Sequence, residues 1–99
     1  MNTPIHMSNA ITARFERFHN ENPHVYSMFQ RFSLKAIQAG MKRLSGHFIL
    51  ARMRWESAIE TKGDPFKIND NYSAYYVRKF IADFPQYAAT FETRRIRAA

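Results

Sequence analysis

The sequence predicts a small, mainly α domain of four helices, with a helix-turn-helix or winged-helix-like arrangement and a short two-stranded element. Three observations lead there. Apolar residues recur three and four apart in four separate stretches. Each stretch is bounded by cap or breaker residues: Ser8-Asn9, Asn22-Pro23, Gly40, Ser45 and Pro85. The 99 residues are 45% hydrophobic and include nine Phe, five Tyr and one Trp, enough to fill one core and too apolar for a disordered chain. Leucine is scarce (Leu34, Leu44, Leu50), so that core should be mainly aromatic and β-branched.

Residues 1–7 read as a flexible leader containing Pro4, and residues 8–97 as a single helical domain. A first helix is expected from Ser8 or Asn9, either of which suits an N-cap, to His19-Asn20, with Ile11, Phe15 and Phe18 on one stripe. Asn22-Pro23 is a start signal, Asn as N-cap and Pro at the first helical position. Val25, Met28, Phe29, Phe32, Ala36 and Ile37 then repeat helically until Gly40, a natural C-terminal stop. The second helix should run from about Pro23 to Ala39.

Ser45 caps a third helix ending near Glu60. Its main apolar stripe is read as Phe48, Ala51, Trp55 and Ile59, with Trp55 in the core, Arg54 exposed and the Arg52 stem packed on Trp55. Leu44 before the cap is placed to contact Ile49 as a hydrophobic staple. Residues 61–65 (Thr-Lys-Gly-Asp-Pro) are a turn by composition. Phe66-Lys67-Ile68 alternates like a short strand, and Asn71 is the expected cap of a fourth helix from about Tyr72 to Phe84. Val77, Phe80, Ile81 and Phe84 form its buried stripe, with Tyr75, Arg78, Lys79 and Ala82 opposite. Pro85 stops it. Gln86–Thr90 suits a further short turn of helix, and Phe91–Arg97 is placed to pair with Phe66–Ile68.

The net charge of +7 favours a polyanionic partner, although a basic domain can also be basic for solubility alone. The absence of cysteine excludes disulfides, thiolate catalysis and Cys-based zinc sites. No apolar run reaches the ~20 residues of a membrane span, and the N-terminus lacks signal-peptide character. The expected location is the cytoplasm, with no membrane partner.

The candidate binding residues are Tyr75, Arg78 and Lys79 on the last helix, the basic end Arg94, Arg95 and Arg97, and Arg54. Helix 3 and helix 4 would be the two helices of a nucleic-acid reader, the second presenting cations to phosphates and polar groups to base edges. A solvated basic face, or pairing of the arginines with Glu56, Glu60 or Glu92, is the plainer account of the same residues. The connector of some ten residues is long for a helix-turn-helix and calls for a variant with an inserted strand. His6, His19, His24 and His47 lack metal-ligand spacing, and Asn22, His24 and Tyr26 at a helix start are better explained by capping than by phosphate binding. The eight carboxylates are scattered. Glu60-Thr61-Lys62 matches only a fragment of a nuclease motif, without the clustered acids that hold Mg²⁺. No enzyme, cofactor or metal is therefore assigned.

The segments RFERFHNENPHVYSMF (from Arg14), RMRWE (from Arg52), GDPFKINDNYSAYYVRKF (from Gly63) and FETRRIR (from Phe91) resemble a group of small uncharacterised proteins of phage and prophage genomes. The likeness runs from Phe15 to Arg97 and is most specific at NPHVY (Asn22–Tyr26), RW (Arg54-Trp55) and FKIN (Phe66–Asn69). It implies a genomic context and a host-cell cytoplasm, not a mechanism. Two functions fit: a phage-type nucleic-acid-binding protein, regulatory in one form of that reading, with DNA favoured over RNA, or a non-enzymatic inhibitor or adaptor that docks on an acidic surface of a host protein complex such as a defence system. The aromatic content also suits a homodimer.

Overall fold

The computed structural model describes residues 6–60 and 68–91. Four α-helices follow one another: α1 (His6–Glu21), α2 (Pro23–Gln38), α3 (Gly46–Glu60) and α4 (Ser73–Asp83). Short 3₁₀ turns at Asp70–Tyr72 and Pro85–Tyr87 flank α4. Helix α1 starts at His6, ahead of the expected Ser8 or Asn9 cap.

The break between α1 and α2 is set by Pro23, which supplies no N–H and has its φ pre-set for a first helical turn. Asn22 does not cap α2 with its side chain. Its backbone N–H and its Nδ2 both donate to the Phe18 carbonyl, at 2.8 and 3.0 Å, and so finish α1 instead. Helix α2 ends in a Schellman turn: Gly40 N–H donates to Ile37 O and Met41 N–H to Ala36 O. Gly40 sits at φ +98°, where a side chain would be strained. Ser45 caps α3 as expected, its Oγ accepting from Phe48 N–H at 3.1 Å. Asn69, and not Asn71, opens the last helical segment. Its Oδ1 accepts from Asn71 N–H and its carbonyl from Tyr72 N–H, both at 2.9 Å.

The core is aromatic, as the composition foretold. Helix α4 is its centre and packs against α1, α2 and α3. Tyr76 is fully buried, with ring centroids 4.9 Å from Phe15, 5.5 Å from Phe29 and 6.1 Å from Tyr26. Phe80 continues the stack to Phe84 at 4.8 Å and Phe91 at 5.3 Å. Offset and edge-on aromatic pairs of this kind add about 0.5–1.5 kcal/mol each beyond the area they bury. The buried side of α4 is Ser73, Tyr76, Val77 and Phe80, while Ile81 and Phe84 are half-buried at its border. Val25, Phe29 and Ser33 are the buried line of α2.

Helix α3 is rotated from the expected register. Its buried residues are Gly46, Ile49, Leu50, Met53 and Ser57; Phe48, Ala51 and Trp55 face solvent. The physical reason lies at Gly46: a Cβ there would stand 2.9 Å from the Ser73 carbonyl oxygen and 2.9 Å from Val77 Cγ2. Two helices can approach this closely only through a side lined by a residue without a side chain, and that fixes which face of α3 turns inward. Leu44 and Ile49 are both buried in the core, as the staple reading requires. Among the described residues no sheet forms; Leu44 and Phe91 make a single parallel bridge, with Leu44 N–H donating to Thr90 O at 2.8 Å. Phe91 thus pairs with Leu44, not with Ile68. Phe66, Lys67 and the stretch 92–97, the remainder of the expected two-stranded element, lie outside the described residues.

Candidate nucleic-acid interface

The face expected on α4 is narrower than its spacing suggests. The Tyr75 ring stacks on Phe15 of α1, with centroids 5.0 Å apart and planes 18° apart, and its hydroxyl shares a 3.0 Å hydrogen bond with Thr12 Oγ1. Lys79 Nζ lies 6.0 Å from the same Phe15 ring, a cation–π distance. Both residues therefore serve the seam between α1 and α4. Arg78 alone of the three is exposed, beside exposed Ala82 and Asp83, and the Asp83 carboxylate accepts a hydrogen bond from the Tyr26 hydroxyl. Arg54 is half-buried, contrary to the expected exposure, and its Nη2 donates to the Ile68 carbonyl at 2.9 Å, tying α3 to the chain that enters α4. Its part is structural on that side. Arg94, Arg95 and Arg97 lie outside the described residues.

Arg14 and Arg17 on α1, Arg31 and Lys35 on α2, Lys42 in the α2–α3 connector and Arg78 on α4 are all exposed. None of the six pairs with a described carboxylate. They are distributed over four elements. That arrangement suits attraction to a polyanion more than the reading of a base sequence.

The feature that sequence reasoning placed wrongly is the outer face of α3. Phe48 is 50% exposed and Trp55 57% exposed, which with Met41 at 40% makes them the exposed large hydrophobic side chains among the described residues. Arg52 stands between them in sequence. Its guanidinium lies 5.4 Å from the Trp55 ring centroid, while its Nε is 3.1 Å from the Glu56 carboxylate. The Arg52–Trp55 contact is therefore present as expected, but on the surface. A signal for this existed in the sequence: Gly46 and Ser57 fall in line with Leu50 and Met53, and small residues in an apolar line mark the closely packed side of a helix.

Burial pushes the phenols of Tyr76 and Tyr26 well above the ordinary tyrosine range; the Asp83 hydrogen bond and charge add to the rise at Tyr26, and neighbouring Tyr72 adds to that at Tyr76. Tyr76 Oη, Ser33 Oγ and His19 Nδ1 are buried without a hydrogen-bond partner. Among the described residues no three His, Asp or Glu side chains converge as metal ligands, and no helix is long and apolar enough to cross a membrane. Compared with protein-family models, curated proteins and solved structures, the chain has no significant match.

Proposed function

We propose that this chain is a small, basic, phage-type nucleic-acid-binding protein with a regulatory and non-enzymatic role in the host cytoplasm, and that it takes DNA in preference to RNA. The supporting observation is the set of six exposed cations without a described carboxylate partner, on a chain of net charge +7. Counterion release from a nucleic acid rewards such a set wherever the cations sit. Arg78, Arg14 and Arg17 make phosphate contacts in this reading, joined by the terminal Arg94, Arg95 and Arg97. Its architectural part is a helix-turn-helix variant of α3 and α4, with a wing begun by the strand stub at Phe91. The Leu44–Phe91 bridge, which ties the chain leaving α4 to the chain entering α3, is compatible with that wing.

Gel-shift titrations of a mixed-sequence duplex at two salt concentrations test the proposal. Binding should fall steeply with salt. Arg78→Ala and Arg14→Ala/Arg17→Ala should lower the log–log salt slope by roughly one for each phosphate that is no longer neutralised. The absence of any complex at low salt overturns it.

The exposed Phe48, Trp55 and Met41 favour a second reading, an inhibitor or adaptor of a host protein complex such as a defence system. It predicts a host protein retained from nuclease-treated lysate and released by Trp55→Ala.

A further inference from the structure

We propose that the outer stripe of α3 (Phe48, Arg52, Trp55) is a stacking platform for the bases of single-stranded nucleic acid. The inference rests on the nucleic-acid reading and gives that reading a ligand class. Phe48 and Trp55 are seven residues apart, two helical turns on one face, which sets them about 10 Å apart along the axis. That distance is comparable to three stacking steps at roughly 3.4 Å each, the span of four stacked nucleotides. Rings on a convex helix do not reach the faces of bases inside a duplex, which are closed by their neighbours. An unpaired strand offers every base face, and aromatic side chains take such faces whatever the base.

Arg52 fits the same role. Its guanidinium is already held over Trp55 and oriented by the Glu56 carboxylate. A planar cation beside an aromatic ring stacks on bases and meets phosphates at once. A second copy of the chain is a poorer occupant. It brings another +7 charge and another six exposed cations against the first, whereas a strand of phosphates is attracted by them.

The chain has one tryptophan, so its emission reports on the stripe directly. The full chain is titrated with oligo(dT), oligo(U) and a mixed-sequence duplex, following both emission and binding. Single strands should quench Trp55 emission and the duplex leave it nearly unchanged; the two homopolymers separate DNA from RNA. Phe48→Ala and Trp55→Ala should each weaken single-strand binding about 5- to 100-fold and leave duplex binding and its salt slope intact, with Trp55→Phe restoring most of the affinity. Circular dichroism confirms that each variant is folded. Single-strand binding with unchanged emission overturns the platform, as does an equal weakening for duplex and single strand. A dimer in sedimentation that Trp55→Ala converts to monomer overturns it too and assigns the stripe to a second copy. If the wild type binds neither form, the nucleic-acid reading itself has failed; if duplex binding survives without quenching by single strands, only the platform has.

Discussion

Helices α3 and α4 carry the same kind of pattern, large apolar residues three and four apart, and use it in opposite ways. In α4 the line through Tyr76, Val77 and Phe80 is the centre of the core. In α3 the line through Phe48, Ala51 and Trp55 is in solvent, and a second line, Gly46, Leu50, Met53 and Ser57, is buried in its place. Amphipathic periodicity says that a helix has an apolar face. Where a helix has two, the side that allows the closer approach becomes the inner one. Between α3 and α4 that is the glycine side, because Gly46 admits the Ser73 carbonyl and Val77 to a distance at which no Cβ fits. The larger aromatic residues are left outside.

The comparison is broken most severely at its buried end. Tyr76→Ala removes the ring that joins Phe15, Phe29 and Tyr26 and should cost about 3–5 kcal/mol in urea unfolding. A loss below about 1 kcal/mol would mean that α4 is not the centre of the core. Gly46→Ala tests the cause of the rotation of α3. The added methyl meets backbone as well as a side chain, so the helices must part, at a cost of about 1–3 kcal/mol. A neutral result would show that the α3–α4 contact is loose and that another force sets the register.

These residues also show how far the sequence could be read. Helix ends were legible where they depend on a few local atoms: Pro23, Gly40 and Ser45 act as their chemistry demands. Asn22 was misassigned because an amide that finishes the helix behind it and one that caps the helix ahead have the same sequence signature, and Asn71 because Asn69, two residues earlier, is an equally good cap residue and opens the segment with a 3₁₀ turn. On the outer face of α4 the exposure of Arg78 was legible, while the contacts of Tyr75 and Lys79 were not, since nothing near them in sequence tells that Thr12 and Phe15 come to lie against them. Arg54 was misread for the same reason, its partner being the distant Ile68 carbonyl. Trp55 was misplaced because size and apolarity were weighed above the small residues opposite it.

A smaller effect sharpens the buried side. Tyr76 Oη has no partner, so Tyr76→Phe removes an unsatisfied polar atom and should leave stability unchanged or raise it by up to about 1 kcal/mol at pH 7. The same substitution changes the alkaline limit. A phenol whose folded pKa is raised holds its proton more tightly in the folded state. Its stabilising effect is complete below the unfolded value of about 10 and fades as pH rises from there toward the folded value. Wild-type stability should therefore decline above about pH 10, and thermal melts of Tyr76→Phe should decline less, with the remainder due to Tyr26, whose phenol is also raised.

The smallest expected effect is the most telling about α3. Trp55→Ala and Phe48→Ala remove two of the largest exposed rings among the described residues, yet each should change unfolding free energy by no more than about 0.5 kcal/mol. At position 55 the removal of an exposed cation–ring pair with Arg52, about 0.5–1 kcal/mol, is offset by the better helix propensity of alanine, about 0.5 kcal/mol. A drop of about 2 kcal/mol or more for either variant, measured at low protein concentration, would place a segment of the chain over the stripe. The same drop appearing only at high concentration would place a second copy there. Near-neutrality at every concentration leaves the stripe open, with both rings accessible to the single strand proposed to stack on them.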